Sequence, residues 1–321
     1  MSKKAVVLVT RKLPQAVEAR LARDYDARFN TEDRVYSSDE LVELAADAEA
    51  IIPCHTEKLS AELIARLPKS VRAICSFSVG YDHIDLAAAK ARGIYVTNTP
   101  EVLSDATAEI AVLLMLGAAR RVYEGERQIR TETWADWSAT YQLGLQVTGK
   151  RLGILGMGRV GQIMARRARG FDMQIHYYNR HRLAPELEQG AVYHDSVEAL
   201  LPHCDFLSIH CPATPETHHL LNAQRIALLP DEAVVVNTAR GAVVDDEALI
   251  AALRTGKLFA AGLDVFNNEP SIDSRYKELE NAFLRPHVGS ATRETRDAMG
   301  FRALDNLDAI VSGLEPRDRL A

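Results

Sequence analysis

The sequence predicts an α/β protein made of two units, each built around a parallel sheet. Three observations carry this prediction. Short β-branched runs alternate with amphipathic helical stretches, the 321 residues allow about two domains, and a glycine-rich turn opens a second series of strands. Apolar strands separated by helices are typical of a parallel sheet that is covered on both faces.

The first series of strands lies within residues 1–100, where the apolar runs read AVVLV, EAIIPC, VRAICSF and IYVTN. One long helix is then expected from Ser104 or Asp105, either of which is a suitable N-cap, through ATAEIAVLLMLGAARRVYEGERQIR. Its AVLLMLGAA stretch is too apolar for a surface helix, so we expect it to be buried between domains or subunits. An irregular stretch with both tryptophans follows.

A second series begins at Lys150 and contains five predicted strands, within RLGILGMG, MQIHYYN, DFLSIHC, AVVVNTA and FAAGLDV. Their spacing is typical of a dinucleotide-binding domain. A final helix, ATRETRDAMGFRALDNLDAIVSG, closes the chain.

The composition argues against several classes of function. A formal charge of −6 and a pI near 6.0 disfavour nucleic acid as a main partner, since phosphate binding needs a basic surface. No apolar run approaches the ~18 residues of a membrane span, and AVVLV is too short for a signal peptide, so a cytoplasmic location is expected. The four cysteines lack CxxC or zinc-type spacing, which predicts buried thiols and no metal site.

The glycine-rich turn reads Gly156-x-Gly158-x-x-Gly161 and lies between a strand and a helix. The first glycine allows a tight turn, the second lets the backbone approach a pyrophosphate, and the third lets helix and strand pack closely. The N-terminus of the helix, at Arg159 and Val160, offers N–H groups to phosphate. The pattern predicts a dinucleotide site, and a purely structural turn is the alternative.

The end of the next strand bears on the choice of cofactor. Enzymes that use NAD usually place an acidic residue there for the ribose hydroxyls, whereas this chain has Asn179, Arg180, His181 and Arg182. Asn179 does not repel a 2′-phosphate, and the two arginines could pair with it. The sequence therefore predicts NADPH over NADH, and the alternative is a solvated basic loop without a phosphate contact.

Several motifs in order resemble the D-isomer-specific 2-hydroxyacid dehydrogenase family over essentially the whole chain, and most closely its glyoxylate/hydroxypyruvate reductases. The matching segments are SVGYDHID (78–85), ILGMGRVG, HCPATPET (210–217), VNTARGAVVDDEAL (236–249), AGLDVFNNEP (261–270) and PHVGSAT (286–292).

The resemblance implies a catalytic set of Arg240, Glu269 and His287. The chemistry of the residues agrees, because reduction of a 2-keto acid needs a proton donor and a clamp for the carboxylate. His287 is the donor that titrates near neutral pH, Glu269 can hold its ring in one tautomer, and the planar fork of Arg240 suits a carboxylate. Each of these residues alone could be structural.

The resemblance also implies how substrate and cofactor are held. The N–H groups of Val79 and Gly80 would bind the substrate carboxylate, and Asp264 would bind the nicotinamide carboxamide, although a turn-capping role is the alternative for this aspartate. Thr107 would face the cofactor near its phosphates. The other implied cofactor contacts, some of them on the adenine side, are Cys211, Pro212, Thr217, Thr238, Ala239 and Gly289.

The fold that the resemblance implies is a pair of Rossmann-like domains with a cleft between them. Residues 1–100 and 291–321 would form a flavodoxin-like substrate domain, and residues 101–290 a dinucleotide-binding domain. Residues 101–147 would form the interface of a homodimer, in which Trp134 or Trp137 reaches the neighbouring substrate pocket. Ordinary packing of an interface aromatic is the alternative.

The predicted function is the reduction of small 2-keto acids, glyoxylate and hydroxypyruvate, to D-2-hydroxy acids with NADPH. Two alternatives stay open. One is a family dehydrogenase for another 2-keto acid, although Ser76-Phe77-Ser78 lacks the arginine that phosphoglycerate enzymes place there. The other is a dinucleotide-sensing corepressor or scaffold on the same fold.

The histidines for which we expect no matched partner are His55, His83, His194, His218 and His219. The last two are adjacent and, if on a strand, would point to opposite faces.

Overall fold

The computed structural model describes residues 4–321, which divide into two compact units. The first unit comprises the chain up to Leu103 and the segment Ser290–Ala321, and the second comprises Ser104–Gly289. The strands are β1 (Val6–Val9), β2 (Asp26–Arg28), β3 (Ala50–Ile52), β4 (Ala73–Cys75), β5 (Tyr95–Thr97), β6 (Arg151–Leu155), β7 (Gln174–Tyr178), β8 (Val192–His194), β9 (Phe206–Ile209), β10 (Ala233–Asn237), β11 (Leu258–Leu263) and β12 (Ala282–Leu284). The helices are α1 (Gln15–Asp24), α2 (Ser38–Leu44), α3 (Ala61–Arg66), α4 (Leu86–Ala91), α5 (Ser104–Ala119), α6 (Val122–Arg130), α7 (Arg159–Arg169), α8 (Pro185–Glu188), α9 (Val197–Leu200), α10 (Ala223–Leu228), α11 (Asp246–Thr255) and α12 (Arg293–Val311).

The sheet of the first unit is parallel and has the strand order β2-β1-β3-β4-β5, which is the flavodoxin-like order. Successive residues of β1 point to opposite faces, so that Val7 and Val9 pack with α1 and α12 while Val6 and Leu8 pack with α2 and α3. Both faces of this short sheet are therefore buried.

Helix α12 belongs to the first unit because it packs directly on α1. A Cβ atom at Gly300 would lie 2.3 Å from Cγ2 of Val17, so glycine is what allows this close approach. The guanidinium of Arg20 then binds Asp305 at 2.8 Å and Asp308 at 2.6 Å. Since residues that come later in α1 meet residues that come later in α12, the two helices run parallel and begin at the same end.

The second unit has a seven-stranded parallel sheet in the order β12-β11-β10-β9-β6-β7-β8. The order reverses between β6 and β9, and open α/β sheets bind ligands outside the carboxyl ends of the strands at such a point. Helix α5 covers one face, where Gly262 of β11 lets the backbone of Leu114 come close. None of the helices in residues 4–321 has the length and apolar character needed to cross a bilayer.

Two expectations about elements were wrong. The single long helix is broken, since α5 ends at Ala119 and α6 begins at Val122, with Arg121 between them in the left-handed region at φ 53°. The carbonyl of Ala119 accepts instead from the N–H of Leu145, at 2.8 Å. In addition, β2, β8 and β12 were not predicted, because these three-residue strands lie at sheet edges and lack a continuous apolar run.

Candidate active site

The three glycines of the turn after β6 differ in what surrounds them. Gly156 has φ +94°, and a Cβ there would lie 2.6 Å from the backbone N of Cys211. A Cβ at Gly161 would lie 2.3 Å from the carbonyl oxygen of Gly156, so this glycine lets α7 pack against the turn. Within the described chain, nothing lies within 4 Å of the Cβ position of Gly158. The space beside Gly158 is therefore open to a ligand, and the turn fits a dinucleotide pyrophosphate.

Asn179 at the end of β7 is part of the same turn. Its Oδ1 accepts a hydrogen bond from the N–H of Met157 at 2.7 Å, so the side chain ties the end of β7 to the glycine-rich turn. Arg180 and His181 follow it and are exposed. Throughout residues 4–321, Arg180 has no ion-pair partner. An uncharged Asn179 thus stands where a carboxylate would meet the ribose of NAD.

Arg182 is already bound within the loop. Its Nε donates to Oε1 of the buried Glu188 at 2.8 Å, and the hydroxyl of Tyr177 donates to the same oxygen at 2.6 Å. These contacts hold the pKa of Glu188 below its usual value, while burial raises the pKa of Tyr177 to about 12. The structure therefore favours Arg182 as a brace for the loop, and the phosphate contact predicted for it loses support.

The segment after β9 contains the residues predicted for the adenine side. Thr217 donates through Oγ1 to the carbonyl of Pro212 at 2.7 Å and accepts from the N–H of Thr214 at 2.8 Å, which closes a compact turn. His218 and His219 follow this turn. They lie outside the strands, so the strand arrangement considered for them from the sequence does not apply, and their rings stack with centroids 4.0 Å apart.

His210 is a site residue that the sequence analysis missed. It directly follows β9 and is partly buried, with Nε2 2.8 Å from Oγ of Ser208 and Nδ1 3.2 Å from Oγ1 of Thr238. Burial lowers the pKa of His210 to about 4, so the ring is neutral at pH 7. Its backbone carbonyl carbon also meets Gly156. His210 thus links the glycine-rich turn to the segment that carries Thr238 and Ala239.

Three histidines, His176, His194 and His203, form a cluster near the β8 edge of the seven-stranded sheet. His194 was expected to lack a partner, and this was wrong, because its Nε2 lies 3.0 Å from Nδ1 of His176. His203 stacks on both rings. Burial and the two neighbouring rings lower the pKa of His176 to about 4.

Arg240 follows β10 at the carboxyl edge of the second sheet. Asn237 braces the backbone there, accepting from the N–H of Ala239 at 2.9 Å and donating to the carbonyl of Arg240 at 3.0 Å. A Cβ at Gly241 would lie 2.0 Å from the carbonyl carbon of Phe266, so the two loops touch through their backbones. Glycine at 241 therefore brings Arg240 next to the loop that carries Glu269.

Glu269 and His287 form a direct pair. Nδ1 of His287 lies 2.6 Å from Oε2 of Glu269, whose Oε1 accepts from the N–H of Phe266 at 2.7 Å. The side chains are 29% and 27% exposed, so the imidazole can be reached from outside. His287 has φ 54°, which is an uncommon conformation for a residue other than glycine.

Asp264 holds the backbone around His287. Its carboxylate accepts from the N–H groups of Val288 at 2.8 Å and Gly289 at 2.7 Å, and its carbonyl accepts from the N–H of His287 at 2.8 Å. Burial raises the pKa of Asp264. Thr107 lies beside Gly289, at the same loop. The turn-capping role considered for Asp264 is therefore present, and its contact with nicotinamide remains a prediction.

Val79 and Gly80 lie in the first unit, on the loop that follows β4. Their carbonyl groups accept hydrogen bonds, from Asn98 Nδ2 at 2.8 Å and from Ser78 Oγ at 2.6 Å respectively. Their N–H groups take part in no hydrogen bond with other parts of the described chain. This arrangement fixes the loop and leaves two adjacent donors for an anion.

The chain is similar over most of its length to known dehydrogenases and reductases. The family profile described as "D-isomer specific 2-hydroxyacid dehydrogenase, NAD binding domain" matches residues 112–289. A glycerate dehydrogenase from Hyphomicrobium methylovorum is 45% identical over the full length of both chains, and a glyoxylate reductase from Thermococcus litoralis is 41% identical over 98% of this chain and 96% of that one. The structure of an NADPH-dependent glyoxylate/hydroxypyruvate reductase from Sinorhizobium meliloti, in complex with NADP and malonate, has a TM-score of 0.86 at 32% identity and covers 99% of this chain and 97% of that one.

The fold and the site define a dinucleotide-dependent dehydrogenase with a His–Glu pair. The chain belongs to the D-isomer specific 2-hydroxyacid dehydrogenase family. It is an oxidoreductase that uses a nicotinamide dinucleotide and a small 2-keto or 2-hydroxy acid. The relatives named above are enzymes, which does not favour the dinucleotide-sensing scaffold.

Proposed function

We propose that the chain is an NADPH-dependent reductase of small 2-keto acids, with glyoxylate and hydroxypyruvate as substrates and 2-hydroxy acids of the D series as products. The contact of His287 with Glu269, at 2.6 Å and beside the Arg240 loop, carries this proposal. It is supported by the similarity to glyoxylate reductases and to a glycerate dehydrogenase, since oxidation of glycerate at C2 yields hydroxypyruvate.

His287 would act as the general acid. When bound, the cofactor supplies a hydride equivalent to the keto carbon, and the developing alkoxide then needs a proton. Because Nδ1 of His287 contacts Glu269, the proton would come from Nε2. The anchors of Glu269 on Phe266 and of the His287 backbone on Asp264 would keep the ring aimed during transfer.

The substrate carboxylate would be bound by Arg240 together with the N–H groups of Val79 and Gly80. A planar guanidinium can bind a carboxylate oxygen and polarise the adjacent carbonyl. The two N–H groups lie side by side on a loop whose carbonyls are already bonded, and such paired donors suit an anion.

The cofactor would lie along the carboxyl edge of the second sheet. Gly156, Gly158 and Gly161 would hold the pyrophosphate at the start of α7. Arg180 would bind the 2′-phosphate of NADPH, because it is exposed beside an uncharged Asn179 and has no ion-pair partner within residues 4–321. Pro212 and the region of Thr217 would line the adenine side, as the family resemblance implies, and Cys211 would also contact the cofactor.

A homodimer is the assembly that the surface of residues 104–147 favours. Large apolar side chains are exposed along this segment: Leu113, Val122, Tyr123, Ile129, Trp134, Trp137 and Leu143. Exposed apolar patches of this kind mark protein interfaces. We propose that Trp134 narrows the substrate pocket of the partner subunit. Light scattering after size exclusion tests the dimer, and a monomer of full activity would contradict both parts of the proposal.

Initial rates measured at the nicotinamide absorbance band test the function. Glyoxylate, hydroxypyruvate and pyruvate are each combined with NADPH and with NADH. We expect the highest kcat/KM with NADPH and the first two acids. Preference for NADH would reject the role of Arg180 and keep the chemistry, whereas absence of turnover with all pairs despite cofactor binding would reject the proposed substrates.

A further inference from the structure

The first unit contains a pocket that the proposed chemistry does not use. It has a volume of about 600 Å³ and lies where α1 and α12 begin. It is lined by residues 14–16 before and within α1 and by residues 291–293, 296 and 297 around the start of α12. Two guanidinium groups, those of Arg293 and Arg296, line it together with one carboxylate, that of Asp297. The ionised side chains of the lining therefore carry a net positive charge.

Arg296 is the unusual member of this lining. Its side chain is half-buried, yet it makes no hydrogen bond and no ion pair with any residue from 4 to 321. Its Cζ lies 5.9 Å from the ring centroid of Phe77, at the limit of a cation–π contact, and burial lowers the pKa of Arg296. By contrast, Arg20 and Arg302 of the same unit each bind a carboxylate. A partly desolvated guanidinium normally has an acidic or carbonyl partner, so Arg296 is suited to a ligand from outside the chain.

The position of Phe77 connects this pocket with the substrate loop. Phe77 lies two residues before Val79, on the loop that follows β4, and Arg296 reaches it from α12. The stretch Ser76-Phe77-Ser78 itself contains no cationic residue. In the structure a cation reaches this stretch from a helix more than 200 residues later in the chain.

We propose that the pocket is a binding site for a phosphate or carboxylate group, with Arg296 as the principal ligand and Arg293 at its rim. A planar fork with five N–H donors matches either oxyanion. The anion has two possible sources, which are the distal acidic group of a larger 2-keto acid bound at Val79 and Gly80, and a free anion that binds separately.

Calorimetric titration of the full chain with inorganic phosphate tests the site, at fixed ionic strength and with saturating NADPH so that the cofactor's own phosphate site is filled. We expect saturable binding, with a Kd at least tenfold weaker in Arg296→Met, which keeps an unbranched side chain and removes the charge. Arg296→Lys should lie between the two. The matched control is Arg23→Met, an exposed arginine in the last turn of α1, which should bind as the wild type does.

Two results would overturn the proposal: no saturable binding to the wild type, or an equal Kd in Arg296→Met. If Arg296→Met does not fold, as judged by its melting temperature, Arg296→Lys and Arg293→Met replace it in the titration. A Kd for phosphate equal to that of the wild type in both of these variants would then overturn the proposal. This titration does not depend on turnover, so it can succeed or fail independently of the proposed function.

Kinetics then assign the source of the anion, in an arm that rests on the proposed function. The ratio of kcat/KM for 2-oxoglutarate, which carries a second carboxylate, to that for hydroxypyruvate is measured in wild type and in Arg296→Met. A tenfold fall of this ratio assigns the site to the distal group of the substrate. An unchanged ratio together with lost phosphate binding assigns it to a free anion.

Discussion

Nδ1 of His287 lies 2.6 Å from Oε2 of Glu269, and each of the two residues makes a second hydrogen bond to the chain. The carboxylate of Glu269 also binds the N–H of Phe266, and the N–H of His287 binds the carbonyl of Asp264. The imidazole is therefore fixed by its ring and by its backbone. Such fixing favours one orientation for proton transfer.

Replacement of this pair should lower the rate of the chemical step. We expect His287→Ala to reduce kcat by about 10²–10⁴-fold, the usual contribution of a general acid. Glu269→Gln should reduce it less, because an amide can still orient the ring without the charge. Steady-state kinetics with hydroxypyruvate and NADPH measure both effects. The control is His203→Ala, which replaces an exposed histidine stacked on His176 and should leave kcat unchanged. A His287→Ala enzyme with wild-type kcat would exclude the role of general acid for His287.

The glycines of the turn should respond differently to alanine. At Gly158 the added methyl meets no described atom within 4 Å, so Gly158→Ala should change the free energy of unfolding by less than about 0.5 kcal/mol. It should nevertheless raise the KM for NADPH at least tenfold, because the methyl fills the space for the pyrophosphate.

Gly161→Ala is the matched comparison. Its methyl would lie 2.3 Å from the carbonyl of Gly156, so we expect a loss of about 1–3 kcal/mol of stability from overpacking. Thermal unfolding and cofactor titration of the two variants separate these effects. Equal losses of stability would show that the space beside Gly158 is filled by the chain itself.

Cofactor preference should depend on Arg180 more than on Arg182. Arg180→Ala should weaken NADPH about 10-fold or more and leave NADH nearly unchanged, since a charged hydrogen bond contributes ~1.5–3 kcal/mol. Arg182→Ala should instead lower the melting temperature, because it leaves the buried Glu188 without its cation. The KM values of both cofactors in both variants provide the measurement. Equal weakening of NADH and NADPH in Arg180→Ala would reject the phosphate contact.

Buried neutral histidines predict a loss of stability in mild acid. The pKa of His210 is lowered to about 4, below the ~6.5 of an unfolded chain, so the folded state binds fewer protons between these values. Its stabilisation is complete above pH 6.5 and falls toward pH 4, by on the order of 3 kcal/mol. His210→Gln should show a shallower fall of melting temperature between pH 7 and pH 5. Parallel curves for variant and wild type would contradict this origin.

Residues whose local chemistry is distinctive could be located from the sequence. Gly156 and Gly161 stand at a strand–turn–helix junction because only this residue type tolerates the backbone approaches found there, and Gly158 between them keeps open space beside the turn. The position of Arg240 at the end of a predicted strand, AVVVNTA, followed from the same kind of local pattern. Motifs of this kind consist of residues that are close together in the sequence, so they can be recognised from a single amino-acid sequence.

Features that depend on packing could not be found in this way. The break at Arg121 arises because Leu145, far along the chain, takes the carbonyl of Ala119. The engagement of Arg182 by Glu188 turns a candidate phosphate ligand into a brace. His210 was passed over because its role depends on Thr238, which directly follows another strand, β10.

The return of α12 to α1 has a consequence for synthesis of the chain. Arg20 and Asp308 are separated by 288 positions, and Leu304, Leu307 and Ile310 complete the core beneath β1. During translation β1 leaves the ribosome before α12, so one apolar face of its sheet stays uncovered until α12 has been made. The unit between them can assemble earlier, because all of its strands have already been made. The apolar face that Val7 and Val9 present is therefore covered only after α12 has been made, and during that interval the exposed face is a target for chaperones.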